Sequence, residues 1–166
     1  MPSQDATLVI ECTPESYSGV YESLRRLIAS AAQSYHAQCP HEPPLRITAG
    51  ARTLRRQAEL MAQMDDRQLA ALYGSGGRPQ YIDGILALPR RDADGVYQVL
   101  ARRDGGYISR HLGGTAADLG LRDVRRPDLL KGLLLAAGAA VLDESVHGIP
   151  CLHVYLPGVP PAIVRQ

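Results

Sequence analysis

Cysteine is scarce in this chain. Cys12, Cys39 and Cys151 are the only three, no two of them stand in CxxC spacing, and an odd count excludes a complete disulfide framework. A Cys12–Cys39 bridge stays open for an oxidising compartment, while each cysteine by itself reads as a small buried apolar residue. An excess of one charge is lacking too. Lys and Arg number 18 against 17 Asp and Glu, a formal net charge of +1, and the two signs are interspersed. That removes the electrostatic case for nucleic acid or an anionic membrane as a partner. No apolar run approaches the length of a membrane span, so no membrane insertion is expected; the most apolar stretch, Leu129 to Leu142, carries Lys131 and reads as a buried helix. The first residues, Met1 to Ala6, lack the basic start and apolar segment of a secretory signal, so synthesis in the cytoplasm without a classical signal peptide is expected. Internal repeats and low-complexity segments are absent.

What is present fits one domain over 1–166. A chain of 166 residues buries a core without metal or disulfide support, so a metal site here points to catalysis rather than to a folding staple. Ala6 to Cys12 reads as a strand, and Val20, Leu24, Leu27, Ile28 and Ala31 form the stripe of a helix from about Tyr17 to Ala37. Three prolines between Cys39 and Pro44 end it; His36 and His41 beside this break read as a solvated loop. Leu45 to Thr48 alternates as a strand, and Thr53 caps a helix near Leu54 to Gln63. The stretch holding Gly74, Gly76, Gly77 and Pro79 reads as a long loop, and Asp92 to Gly106 as a short hairpin around Val96 to Leu100. Arg126-Pro127 opens a helix to about Ala139. Val141 to Asp143 and Leu152 to Leu156 read as strands joined by a loop over 144–150. The order implies an α+β fold, with an antiparallel sheet carrying the candidate ligands and packed with helices.

Those ligands are His111 and Asp118 in Ser109-Arg110-His111-Leu112-Gly113-Gly114-Thr115-Ala116-Ala117-Asp118, and His153 in Cys151-Leu152-His153-Val154-Tyr155. Two imidazoles and a carboxylate are the number and type of ligand that zinc takes in catalytic sites, where one tetrahedral position stays open. Small residues between the first two ligands let the backbone turn tightly, and His153 closes the set from another strand.

At these residues the chain resembles the zinc D-alanyl-D-alanine carboxypeptidase family, a group with VanY-like and VanX-like enzymes and phage endolysins. Its signature is SxHxxGxAxD, followed some tens of residues on by a third ligand in an apolar strand. Ser109, His111, Gly114, Ala116 and Asp118 match every fixed position, and His153 matches the later histidine. Ile47 to Thr53 is similar to the family's SGYRT-like strand-turn block, and Gln57, Glu59 and Leu60 resemble the helix after it. The matching core covers about 45–156. The resemblance implies a hedgehog/DD-peptidase-like fold, Zn2+ held by His111, Asp118 and His153, and hydrolysis of peptide bonds in peptidoglycan stem peptides or crosslinks, as a carboxypeptidase or an endopeptidase.

It also implies roles. Arg52 would hydrogen-bond the substrate carbonyl or oxyanion, and Ser109 would position substrate or orient its loop. The general base is displaced: where VanX-like members carry glutamate, three residues before the last histidine, this chain has Pro150, and where others carry histidine it has Cys151. His147, with the most suitable ordinary pKa, is then the first candidate base, with Glu144 and Asp143 as alternatives. Cys151 reads as core or as a neighbour of the site outside the ligand set. Such an enzyme would act in the periplasm or at the cell wall, delivered through a holin or a secretion system, with a delivery or immunity protein as a further partner. The competing reading is a non-catalytic zinc-binding module of the same fold; a third is a metal-free domain in which His111 and Asp118 pair by hydrogen bonding.

Overall fold

The computed structural model describes residues 9–11, 14–74, 79–102 and 109–159. Its elements are β1 (Ile10–Glu11), α1 (Glu22–Gln38), β2 (Leu45–Ala49), α2 (Leu54–Ala62), α3 (Asp66–Tyr73), α4 (Pro79–Leu86), α5 (Ala93–Ala101), β3 (Ala116–Gly120), α6 (Pro127–Ala136), β4 (Ala140–Asp143) and β5 (Cys151–Tyr155). Short 3-10 turns occupy Glu15–Gly19, Arg110–Gly113 and Glu144–His147. The chain divides into two compact units, one built from described residues of Met1–Ala51 with Thr115–Val159, the other from those of Arg52–Gly114.

The first unit is an α/β layer. Its five strands lie in the order β1-β2-β3-β5-β4. The strands from β2 to β4 are antiparallel to their neighbours, whereas β1 runs parallel to β2, so the sheet is mixed rather than wholly antiparallel as expected. Alternation along the strands sorts side chains by face. Leu45, Ile47, Ala117, Leu119, Leu152 and Val154 pack with Leu24, Ile28 and Tyr35 of α1 and Leu130 and Leu134 of α6. Each fully buried leucine in this layer is worth about 1.5–3 kcal/mol against exposure. The opposite face carries Arg46, Thr48, Asp118, Gly120, Cys151 and His153, and the core requirement on the first face fixes that register. The α1 helix ends as expected before the prolines, but His36 in its last turn is buried rather than solvated.

The second unit is helical. Leu54, Ala58 and Met61 of α2 pack with Leu69 and Tyr73 of α3, Ile82 and Ile85 of α4, Val96 and Leu100 of α5, and Leu112. Two expectations are corrected here. The span from Val96 to Leu100 is helix, capped by Asp92, whose carboxylate accepts from the Gly95 N–H. Val96 and Leu100 are four apart and share one buried face, as a helix requires. The glycine-bearing stretch is bounded by α3 and α4, with Pro79 at the first position of α4, where its missing N–H costs nothing. Residues 75–78, where Gly76 and Gly77 fall, and Cys12 lie outside the described residues. Cys39 and Cys151 are free thiols. No helix among the described residues is long and apolar enough to cross a membrane.

Candidate metal centre

Two of the three proposed ligands are a cross-strand pair. Asp118 and His153 stand directly opposite each other in the β3–β5 ladder, and His153 Nδ1 lies 3.0 Å from Asp118 Oδ1. Both are 8% exposed. On a polar position of an otherwise apolar strand, each would cost several kcal/mol unpaired. Thr48 reaches from β2 to donate to the Asp118 carbonyl, at 3.3 Å.

His111 is set by its own turn. Ser109 precedes the 3-10 turn Arg110–Gly113 in extended conformation, and its hydroxyl accepts the His111 N–H at 3.3 Å. Ser109 is thus the cap that fixes the turn. Gly114 closes it at φ +71°, in the left-handed region that favours glycine. Leu112 anchors the turn in the helical core, and the His111 carbonyl accepts from the Arg52 N–H at 2.8 Å. His111 is 3% exposed.

Within the first unit, the Asp118 carboxylate and the His153 imidazole are buried side by side. Donors bound at about 2.0–2.1 Å in a tetrahedral shell stand roughly 3.3 Å apart. The 3.0 Å between Asp118 and His153 is close to such an edge. Two imidazoles and one carboxylate, each buried, are donor types that suit a borderline divalent ion.

A second group shares Asp118: its carboxylate, the Glu144 carboxylate and the Cys151 thiol also converge within 4.8 Å. Asp143 pairs with Leu152 across β4–β5, so the next residue, Glu144, comes up beside Cys151. The Ile149 N–H returns to the Glu144 carbonyl and holds the intervening turn. The Cys151 thiol then donates to Glu144 Oε2 at 3.2 Å. His147 sits at the exposed far end of that turn, in neither donor group. Asp143 is occupied as the cap of the turn, accepting from the Ser145 hydroxyl and N–H. Those bonds, the hydroxyl's first, hold its carboxyl below the usual range.

Arg52 is braced as well. Its guanidinium donates to Gln57 Oε1 at 2.9 Å, and Gln57, fully buried in α2, donates to the Tyr73 hydroxyl at 2.9 Å. Sequence reasoning took Gln57 only as part of a matching block. Its brace role had a signal, an amide on the apolar stripe of Leu54, Ala58 and Met61. The Glu144–Cys151 contact had none, because it depends on a turn and a strand register together. No protein-family model matches the chain, nor does any curated protein or solved structure.

Proposed function

We propose that this chain is a zinc-dependent peptidase acting on peptidoglycan stem peptides or crosslinks, with a hedgehog/DD-peptidase-like arrangement. The observation that carries the reading is the buried Asp118–His153 pair across β3 and β5, two of the three residues singled out by the SxHxxGxAxD pattern and the later histidine; His111 is the third, seven residues before Asp118. These three would hold the ion. When bound, zinc supplies Lewis-acid polarisation of a carbonyl and an acidified water.

The chain's own residues do the rest. Glu144 is the proton acceptor we assign, in place of His147, because its carboxylate lies beside Asp118 and is oriented by the Cys151 thiol. It takes a proton from the attacking water as that oxygen bonds to the carbonyl carbon, then passes it to the amine nitrogen as the C–N bond breaks. Arg52, braced by Gln57, donates to the carbonyl oxygen as its charge grows. Ser109 acts through the turn that aims His111.

The test is digestion of purified peptidoglycan by zinc-loaded protein, read by mass spectrometry beside a His111→Ala control. Fragments absent from the control are expected. Intact sacculi with stoichiometric zinc would instead favour a non-catalytic zinc module. A metal-free domain has its own support in the direct His153–Asp118 hydrogen bond, and purified protein devoid of zinc affinity would establish it.

A further inference from the structure

Donor atoms continue across the polar face of the sheet beyond the Asp118–His153 pair. Asp118 comes from β3, Cys151 from β5, and Glu144 from the turn that follows β4. One donor atom from each of these three lies within 4.8 Å of the others, with Asp118 and Cys151 buried and Glu144 half-buried. All three belong to the first unit.

We propose that Asp118, Glu144 and Cys151 form a second divalent-cation site, suited to a sulfur-accepting ion such as zinc and sharing Asp118 with the first. Donor chemistry is the first argument. A thiolate beside two carboxylates suits zinc or cobalt, whereas calcium and magnesium take oxygen donors. Geometry is the second. In a tetrahedral shell with zinc–sulfur at about 2.3 Å and zinc–oxygen at about 2.1 Å, the sulfur–oxygen edge is about 3.6 Å. Cys151 Sγ and Glu144 Oε2 already stand 3.2 Å apart, so a small opening of that contact completes the edge. As the ion enters, the S–H proton leaves to bulk water and a sulfur–metal bond replaces the S–H···O bond.

Charge is the third. Two neighbouring carboxylates repel, and a divalent cation between them turns the repulsion into attraction. Against the charges of Glu144 and an ionised Cys151 the ion adds no net charge. A carboxylate has two oxygens, so Asp118, whose Oδ1 faces His153 Nδ1, can serve both sets. Asp118 and Cys151 also line a cavity of about 430 Å3, which leaves room for a water ligand to complete the shell. Because the thiol must lose its proton, this ion is the more weakly held of the two.

The site stands without the peptidase reading. Joined to that reading, on which this consequence rests, it is regulatory: an ion on Glu144 withdraws the carboxylate from proton transfer, so zinc beyond the first equivalent lowers turnover.

The test is cobalt(II) titration of metal-free full-length protein followed by absorption, because only a thiolate ligand gives sulfur-to-cobalt charge transfer in the near ultraviolet. Two equivalents are expected, the weaker one bringing that absorption. Cys151→Ser should bind one tight equivalent and show none of it. His153→Ala should lose the tight equivalent and keep the absorption, both variants with circular dichroism unchanged. Glu144→Gln should weaken the absorbing ion about tenfold or more. Saturation with cobalt without the absorption, or the same absorption in Cys151→Ser, would overturn the proposal. The two readings fail separately. Absorption lost in Cys151→Ser, without cleavage of peptidoglycan, leaves the site and removes the peptidase; cleavage without absorption at saturating cobalt leaves the peptidase and removes the site.

Discussion

The two faces of the β3–β5 ladder are made by alternate residues of the same two strands. On one, Ala117, Leu119, Leu152 and Val154 do nothing but pack against α1 and α6. On the other, Asp118, Gly120, Cys151 and His153 carry polar atoms, a thiol and a bare backbone. Residue period alone places chemistry one step from core, so the apolar face determines where the ligands point. A slip of one residue would exchange the faces and destroy both.

Substitutions on the two faces should therefore fail in different ways. The largest loss of stability is expected from Leu119→Ala or Leu152→Ala, at about 2–5 kcal/mol each, read by denaturant unfolding. Folded protein that remains should still bind zinc; a folded population without zinc affinity would tie the two faces together more closely than packing does. On the polar face, Glu144→Gln should keep stability and zinc while losing about 100-fold or more in turnover. His147→Ala, altering an exposed side chain outside both donor groups, should leave turnover within a factor of about two. The reverse pattern would return the base role to His147. Cys151→Ala should lower turnover less than Glu144→Gln, with Cys151→Ser restoring part of it, because the thiol only orients the carboxylate.

The smallest effect concerns pH on the packing side. Burial, with the hydrogen bond to Glu42, pushes the Tyr35 hydroxyl well above its ordinary pKa of 10.0. Its contribution is fully present below that ordinary value and is lost as pH rises through the raised one. Alkaline unfolding should therefore steepen above about pH 10, and Tyr35→Phe should remove that component. An unchanged alkaline profile in the variant would place the loss elsewhere.

Much of this contrast is legible in the sequence, because it is local. His111 and Asp118 are seven residues apart around two glycines, and β5 reads as a strand by composition, whereas β3 reads only as part of the ligand segment. Thr53 and Pro127 mark their helix starts as caps and first-turn residues do. What was illegible depends on pairing at a distance. The parallel β1–β2 contact has no sequence signal, and β1 is two residues long. The α5 helix differs from the hairpin expected there: valines favour strands intrinsically, yet the Asp92 cap and the spacing of Val96 and Leu100 decide for helix once a core is present. Glu144 was no better than His147 on sequence grounds, since the register of Asp143 on Leu152 alone brings it to Cys151.

The polar face of β3–β5, with Asp118 and His153, is the zinc-binding surface we propose. Its most direct test is zinc titration of metal-free protein beside Asp118→Asn, both verified as folded by circular dichroism. The account predicts one tight zinc per unmodified chain and at least a hundredfold weaker binding in the variant, the order expected for loss of a charged ligand. Equal affinity in the two proteins, or none in either, would contradict it.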